Sequence, residues 1–403
     1  MTTAQGVPLQ TLASSTSPFA HLTDNNKQGL CSVLWGWTFC ENCKHFKLCT
    51  DSECPGTRVH SLRQYFHHYK RLVSAYSHDL QYFEEDKSLN SHEEILIIIE
   101  RIKEKPNITR RKLAEAVFGT EPAGAATKTD REHAIGLAIK ALTMVNSTRW
   151  LEAAYGIGNQ DSQNWPEDIP LSTFLEELFP TADHPGFGEK ASTSYWDMRS
   201  SITCVKLMRR GRLSFQSTEN LSNHLKLNRK TGVVEIFHHT AFLKESLRIT
   251  KNQGGKPLSF ADTIGRGAVP RQLAIEVLDS IQKIIFPLSD PSAVSVLRSL
   301  ITEQGFDSDC LRFEASAIRE PHEINTQYIY FGARLADIHD ELEHPTPRGF
   351  LSRWAKRKST GHANIATIIG VILALFFGIA TLGLSVFQAW VGYQQWQHPI
   401  QTN

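Results

Sequence analysis

The sequence has almost no excess of charge of either sign, because 43 lysines and arginines face 42 aspartates and glutamates. A formal net charge of +1 gives the whole chain no electrostatic attraction to nucleic acid, so a nucleic-acid partner is not expected. Hydrophobic residues make up 41% and charged residues 21% of the 403 positions, ordinary values for a protein that buries cores. The length leaves room for two or three domains.

Established catalytic motifs are also missing from the sequence. It contains no G-x-S-x-G elbow, P-loop, H-E-x-x-H helix, G-x-G-x-x-G fingerprint or kinase signature. The nearest catalytic candidates are His224, His238 and His239 together with Glu235. On the predicted strand Val233 to His238, Glu235 and His238 point to opposite faces, which favours structural histidines. We therefore predict no catalytic and no cofactor-binding residue.

A secretory signal peptide is not apparent in residues 1–30, which lack a charged n-region and an apolar h-region. Residues 1–27 are rich in Ser, Thr, Gln and Asn and are predicted to be a disordered tail. Seven cysteines without a signal peptide argue for reduced thiols or metal ligands rather than a disulfide scaffold.

Charged residues are absent from Ser359 to Asn403, and within this stretch Ile365 to Trp390 is apolar almost throughout. An uncharged run longer than about 20 residues can cross the hydrocarbon core of a bilayer as a helix. A buried core helix is the alternative, but few core helices are this long. We predict a transmembrane helix over residues 364–391 and a short tail over 392–403, so that the lipid bilayer is a partner.

Basic residues lie on one side of this helix only. No lysine or arginine follows the span. The juxtamembrane segment 345–363 before it carries five basic residues: Arg348, Arg353, Lys356, Arg357 and Lys358. The positive-inside rule then predicts a cytosolic body. This is the arrangement of a tail-anchored protein, and the uncharged tail favours the endoplasmic reticulum or another endomembrane over the mitochondrial outer membrane. The sequons at Asn107, Asn146 and Asn220 should remain unmodified.

Small residues recur every four positions in the span, at Gly370, Ala374 and Gly378. Such a stripe lets a second helix approach closely, so it predicts a homodimer through these residues. The alternative is chance, because Gly and Ala are common in membrane helices.

Residues 28–60 form a cysteine-rich segment with a C-x2-C pair followed closely by a C-x4-C pair. Thiolates at this spacing can converge on one structural Zn²⁺, with the ligands Cys40, Cys43, Cys49 and Cys54. His45, His60 and Cys31 are substitute ligands. The alternative is a set of free cysteines in a small aromatic-rich subdomain.

Helical periodicity dominates residues 61–158. Three segments over residues 92–146 resemble the three-helix core of winged-helix domains, with Thr109 capping the second helix. The third would be the recognition helix, but its nearly neutral surface does not favour DNA binding. His67, His68 and His78 are predicted to lie on polar helix faces.

Proline and glycine then mark a linker over residues 159–192, interrupted by one short helix, before a second α-rich domain over 193–344. This domain has short predicted strands at Leu213, Val233 and Cys310. The fold class is therefore mostly α, or α+β with a few short strands, ending in one transmembrane helix.

Three stretches carry a resemblance to a known family: Leu213 to Glu245, Pro270 to Leu288, and Tyr330 to Leu342 followed by the span. They resemble a family of single-pass membrane proteins of filamentous fungi without an established activity, and the likeness runs from about Leu34 to Pro399. It implies a fungal single-pass membrane protein and no particular chemistry.

The predicted function is that of a membrane-anchored cytosolic interaction or adaptor protein. The alternative is a membrane-tethered enzyme with a site in the second domain.

Overall fold

A computed structural model describes residues 19, 21–45, 49, 51, 54–79, 88–119, 128–148, 164–182, 200–251, 258–314, 317–323, 327–348 and 363–397. The chain divides into two compact units, one up to Pro345 and one from Thr346 onward. Among the described residues the first unit is mostly helical with one small sheet, and the second contains a single long helix. The predicted fold class is confirmed.

Six α-helices lie among the described residues of the first part of the chain. They are α1 (Asp24–Trp35), α2 (Glu41–Lys44), α3 (Arg63–Asp79), α4 (His92–Glu104), α5 (Arg110–Phe118) and α6 (Lys128–Thr143), with a 3₁₀ helix over Pro55–Leu62. Thr23 and Ser91 cap α1 and α4 with capping boxes. Helix α1 therefore starts within the segment 1–27 that was predicted to be disordered. Its side chains Leu30 and Leu34 are buried in the core.

Helices α4, α5 and α6 pack against one another, as predicted for the three-helix unit. Thr109 caps α5 by accepting a hydrogen bond from the backbone N–H of Lys112 at 3.4 Å. Helix α6 is buried at every position from Ala134 to Thr143. It is thus the centre of the unit rather than an exposed recognition helix.

Residues 164–182, which lie in the predicted linker, belong to the core. Trp165 and Phe174 are buried, and the indole N–H of Trp165 donates to the carbonyl of Ile169 at 2.8 Å. Helix α7 (Leu171–Leu178) packs against the helix Phe260–Gly265. The remaining residues of the predicted linker, 159–163 and 183–192, lie outside the described part of the chain, and the division into two domains stays a prediction.

The later elements continue the helical pattern. They are α8 (Cys204–Arg209), α9 (Thr240–Ile249), α10 (Phe260–Gly265), α11 (Arg271–Asp279) with a π-helical extension over Ser280–Ile285, α12 (Pro291–Gln304) and α13 (Gly332–Glu343). The prediction of a strand at Cys310 is wrong. A 3₁₀ helix, Ser308–Leu311, occupies this position, because the Asp307 carboxylate caps it by accepting from the backbone N–H of Asp309 at 3.0 Å.

The three strands β1 (Ser214–Thr218), β2 (Leu227–Asn228) and β3 (Val233–Phe237) form a sheet in the order β1-β3-β2. Strands β1 and β3 are parallel, with Phe215 beside Val234, whereas β2 runs antiparallel to β3. The residues directly after β1 and β3 therefore emerge at the same edge of the sheet. That edge brings Glu219 close to His238 and His239.

One core joins the first helices to the sheet region. The ring of Tyr65 in α3 stacks on Phe242 of α9 at 5.4 Å between centroids, and Trp35 of α1 lies within 5.9 Å of both. Arg58 Nε donates to Glu245 Oε1 at 3.0 Å across the same boundary. These contacts fix α1, α3 and the segment between them against α9.

Helix α14 (Ala363–Gln397) contains a stretch, Gly370–Gln394, that is long and apolar enough to cross a membrane. At about 1.5 Å per residue this 25-residue stretch is about 37 Å long, more than the roughly 30 Å of a hydrocarbon core. Every side chain from Val371 to Trp390 is exposed. The length and composition of this helix are compatible with a membrane anchor.

Candidate metal centre

Three of the four cysteines at positions 40, 43, 49 and 54 lie in or directly before two short helices. Cys40 is the N-cap residue of α2, Cys43 lies inside α2, and Cys54 is the N-cap residue of the 3₁₀ helix. The side-chain amide of Gln28, on α1, donates to the carbonyl of Cys43 at 2.8 Å. The cluster therefore links α1 to the segment that enters α3.

The four sulfur atoms lie within 4.8 Å of one another and could hold a metal ion. Cys40 Sγ is 3.9 Å from Cys49 Sγ, and Cys43 Sγ is 3.8 Å from Cys54 Sγ. A disulfide requires a sulfur–sulfur distance of about 2.05 Å, and all four cysteines are free. Four ligands at about 2.3 Å from a tetrahedral ion are about 3.8 Å apart, which matches both distances.

Hydrogen bonds from the backbone favour the ionised form of one of these sulfurs, Cys54 Sγ. The N–H groups of Cys40 and Gly56 each point at Cys54 Sγ, at 3.4 Å. Burial alone would raise the pKa of Cys54, but these hydrogen bonds outweigh it and lower that pKa to about 7. Burial and the neighbouring thiols raise the pKa of Cys43 well above its ordinary value. A cation is needed before all four sulfurs can ionise together.

Gly56 packs directly against the cluster. A Cβ atom at this position would lie 2.4 Å from Cys43 Sγ, closer than non-bonded atoms approach. The absence of a side chain at Gly56 therefore allows its backbone N–H to reach Cys54 Sγ.

The substitute ligands considered from the sequence do not join the cluster. Cys31 is buried in the hydrophobic core, and burial raises the pKa of its thiol well above the ordinary range. His45 is exposed, 3.9 Å from Glu41, and His60 lines a separate cavity with Arg63 and Asp309.

A second group of ionisable side chains surrounds Glu219, which follows β1. His68 Nδ1 lies 3.2 Å from Glu219 Oε2, His239 Nε2 contacts the same oxygen, and His238 Nε2 lies 3.8 Å from Oε1. Arg71 Nη1 lies 3.3 Å from Oε1. His68, Glu219 and His239 could also hold a metal ion.

The pKa values in this group reflect burial and mutual proximity. Burial lowers the pKa of His68 well below its usual value and lowers that of His239 to about 4, although Glu219 opposes both shifts. Burial alone would raise the pKa of Glu219, but the adjacent histidines hold it far below its usual range. The lowered pKa values favour an ionised Glu219 carboxylate and neutral imidazoles at His68 and His239.

The sequence did not reveal this group. The polar-face prediction was wrong for His68, which is buried, whereas His67 is exposed; the side chain of His78 lies outside the described residues. Glu235 is not the carboxylate partner of His238. His224 lies outside this group, and both of its ring nitrogens have hydrogen-bond partners. Its Nε2 lies 2.7 Å from Ser280 Oγ, and its Nδ1 accepts from the backbone N–H of Phe237.

Comparison with known proteins gave no match to a family model, a curated protein or a solved structure. The resemblance to membrane proteins of filamentous fungi therefore stays a prediction.

Proposed function

We propose that the protein is an interaction or adaptor protein whose body is held at the cytosolic surface of a membrane by α14, with one structural zinc ion. The observation that carries this proposal is the apolar stretch Gly370–Gln394, exposed along its length and attached to a compact body. Confinement to a membrane surface raises the effective concentration of the body toward partners on the same membrane. This favours recruitment as its mode of action.

Zinc is the metal that this cluster would select. Four thiolates in a tetrahedral arrangement are typical of structural zinc, and protein ligands fill all four positions. The ion would stabilise the connection between α1 and α3, which carry part of the shared core. We assign it no catalytic role.

Replacing the membrane helix distinguishes the proposed adaptor function from the enzyme alternative. In cells, a chain whose residues 364–391 are replaced by an unrelated apolar helix should cross-link to the same membrane proteins as the native chain. Anchors without the body should lose those partners. Loss of all partners on helix exchange, or thermal stabilisation of the body by a cofactor or nucleotide without any specific cross-link, would contradict the proposal.

The orientation can be read from glycosylation, because Asn107 is exposed whereas Asn220 is buried and Asn146 is half-buried. The Asn220 side chain also accepts from the backbone N–H of Asn146 and of Ser222, both at 3.3 Å. With a cytosolic body, we expect the native chain and Asn107→Gln to migrate identically before and after glycosidase digestion. A glycosidase-sensitive shift that Asn107→Gln removes would place the body in the lumen.

Self-association through the span is a separate prediction. Gly370 and Gly378 have open space around their Cα atoms, so a second helix could approach the backbone closely there. Replacing both by leucine should weaken association in a membrane two-hybrid reporter by at least about tenfold, equivalent to about 1.4 kcal/mol. Gly383→Leu, which at about 100° per residue lies on the opposite face of the helix from the stripe, serves as the control. Equal signals from the double variant and from Gly383→Leu would leave the stripe without a role.

A further inference from the structure

The group around Glu219 has the composition of a second metal site, formed by elements that are far apart in the sequence. His68 comes from α3, Glu219 follows β1, and His239 precedes α9. Two imidazoles and one carboxylate are a ligand set that divalent transition metals prefer. Neither the zinc cluster nor the membrane anchor uses these residues.

Hydrogen bonding decides which histidines can serve as ligands. His238 Nδ1 accepts from the backbone N–H of Asp307 at 3.0 Å, so its proton is on Nε2, facing Glu219. His238 therefore has no free lone pair for a metal. The two remaining imidazoles, those of His68 and His239, are both buried.

The interatomic distances suit a metal between these groups. Nitrogen and oxygen ligands at about 2.0–2.2 Å from a tetrahedral ion lie about 3.4 Å apart. His68 Nδ1 and Glu219 Oε2 are 3.2 Å apart, and one ligand atom from each of the three residues lies within 4.8 Å of the others. Binding would replace the direct contact of His239 with the carboxylate by two bonds to the ion.

A buried polar atom also lacks a partner here. His239 Nδ1 makes no hydrogen bond to any described residue, although the side chain is only 1% exposed. This nitrogen lies on the other side of the ring from the Nε2 atom that faces Glu219, so Nε2 is the atom available to an ion and the hydrogen bonding of the group is incomplete at Nδ1.

The site opens to solvent on one side. The Glu219 side chain is 24% exposed and that of Arg71 is 44% exposed, whereas the two histidines are at most 1% exposed. Three protein ligands on a buried floor leave a fourth position on the open side. That arrangement is typical of metal sites that bind an exchangeable ligand rather than of closed structural sites.

Positive charges restrict what can occupy the fourth position. Arg71 lies beside Glu219 Oε1, and the buried Lys140 donates to the carbonyl of Glu219 at 2.5 Å and to that of Met144 at 3.1 Å. With one carboxylate, two such cations and a divalent ion, the site is strongly electropositive. An anionic fourth ligand lowers this charge.

We propose that His68, Glu219 and His239 form an open site for one divalent transition metal, whose fourth ligand is hydroxide or a small anion. Such a site would give the protein a Lewis acid. The proposal does not depend on the membrane anchor or on the thiolate cluster.

The test uses the full chain in detergent, stripped of metal by a chelator and then titrated with Co²⁺. Thiolate-bound Co²⁺ has intense sulfur-to-metal charge-transfer absorption, whereas Co²⁺ bound by nitrogen and oxygen has only weak visible bands, so the two sites are read separately. We expect two ions per chain. Glu219→Gln and His239→Ala should each lose the second ion, with affinity reduced at least 100-fold, and should keep the thiolate absorption.

Glu219→Gln keeps the shape of the side chain, so it reports on the site even if His239→Ala disturbs the fold. His67→Ala, an exposed neighbour on the same helix, is the matched control and should retain both ions. One ion per native chain with thiolate absorption alone would overturn the proposal. So would a second ion that both Glu219→Gln and His239→Ala retain.

Discussion

Cys43→Ser is expected to abolish metal binding at the thiolate cluster and to lower the free energy of unfolding of the body by at least about 4 kcal/mol, the exceptional range to which loss of a structural metal belongs. A serine hydroxyl does not ionise at neutral pH, and the three remaining sulfurs leave the ion open to solvent. Structural zinc sites contribute about 10–16 kcal/mol of apparent binding free energy in isolated zinc-finger peptides. The expected loss is smaller than this binding free energy, because the core contacts of α1 and α3 remain in the metal-free body.

Metal analysis and thermal unfolding of the native chain, Cys43→Ser and Cys204→Ala provide the comparison. Cys204 is buried in the core outside the cluster, so Cys204→Ala should keep the ion. Acidification should release the metal, because protons compete with it for the thiolates. An unchanged metal content in Cys43→Ser would refute the four-thiolate site.

A chain ending at Pro345 is expected to leave the membrane completely. In the proposed arrangement, Gly370–Gln394 is the apolar surface that holds the protein in a bilayer, and the body up to Pro345 is a compact unit. The truncated chain should appear in the supernatant after alkaline extraction of membranes, while the native chain stays in the pellet. The double variant Gly370→Leu, Gly378→Leu is the control for the helix sequence and should remain in the pellet.

A charge in the span gives a graded version of the same experiment. Leu375→Arg places a cation near the middle of the apolar stretch, at an insertion cost of about 2.5–3.5 kcal/mol. We expect partial loss from the pellet. A truncated chain that still pellets after alkaline extraction would show that the body itself holds the membrane.

The sequence predicted those features whose signals are local. Helix α5 begins after Thr109 and ends at Gly119 as predicted, because a cap and a glycine mark its two ends. The apolar run and the four clustered cysteines were likewise recognisable from short spacings. Helix α1 was not predicted, because its first turn is polar and lies in the predicted tail, and its buried residues, Leu30, Cys31, Leu34 and Trp35, all lie in its second half.

The group around Glu219 could not be predicted in the same way. His68 and Glu219 are about 150 positions apart, and only the packing of α3 against the end of the sheet brings them together. From the sequence pattern alone, a single buried histidine on an amphipathic helix cannot be distinguished from an exposed one. The adjacent pair His238 and His239 was a visible signal, but its carboxylate partner follows a different strand from the one that carries Glu235.

Protease treatment of sealed microsomes that contain the native chain tests the central claim most directly. An anchored protein with a cytosolic body should lose that body to protease without detergent, leaving a short membrane-embedded fragment that contains α14. Detergent should be needed only to dissolve that fragment. A body that stays intact until detergent is added, or a chain that alkaline extraction removes from the membrane before digestion, would contradict the account.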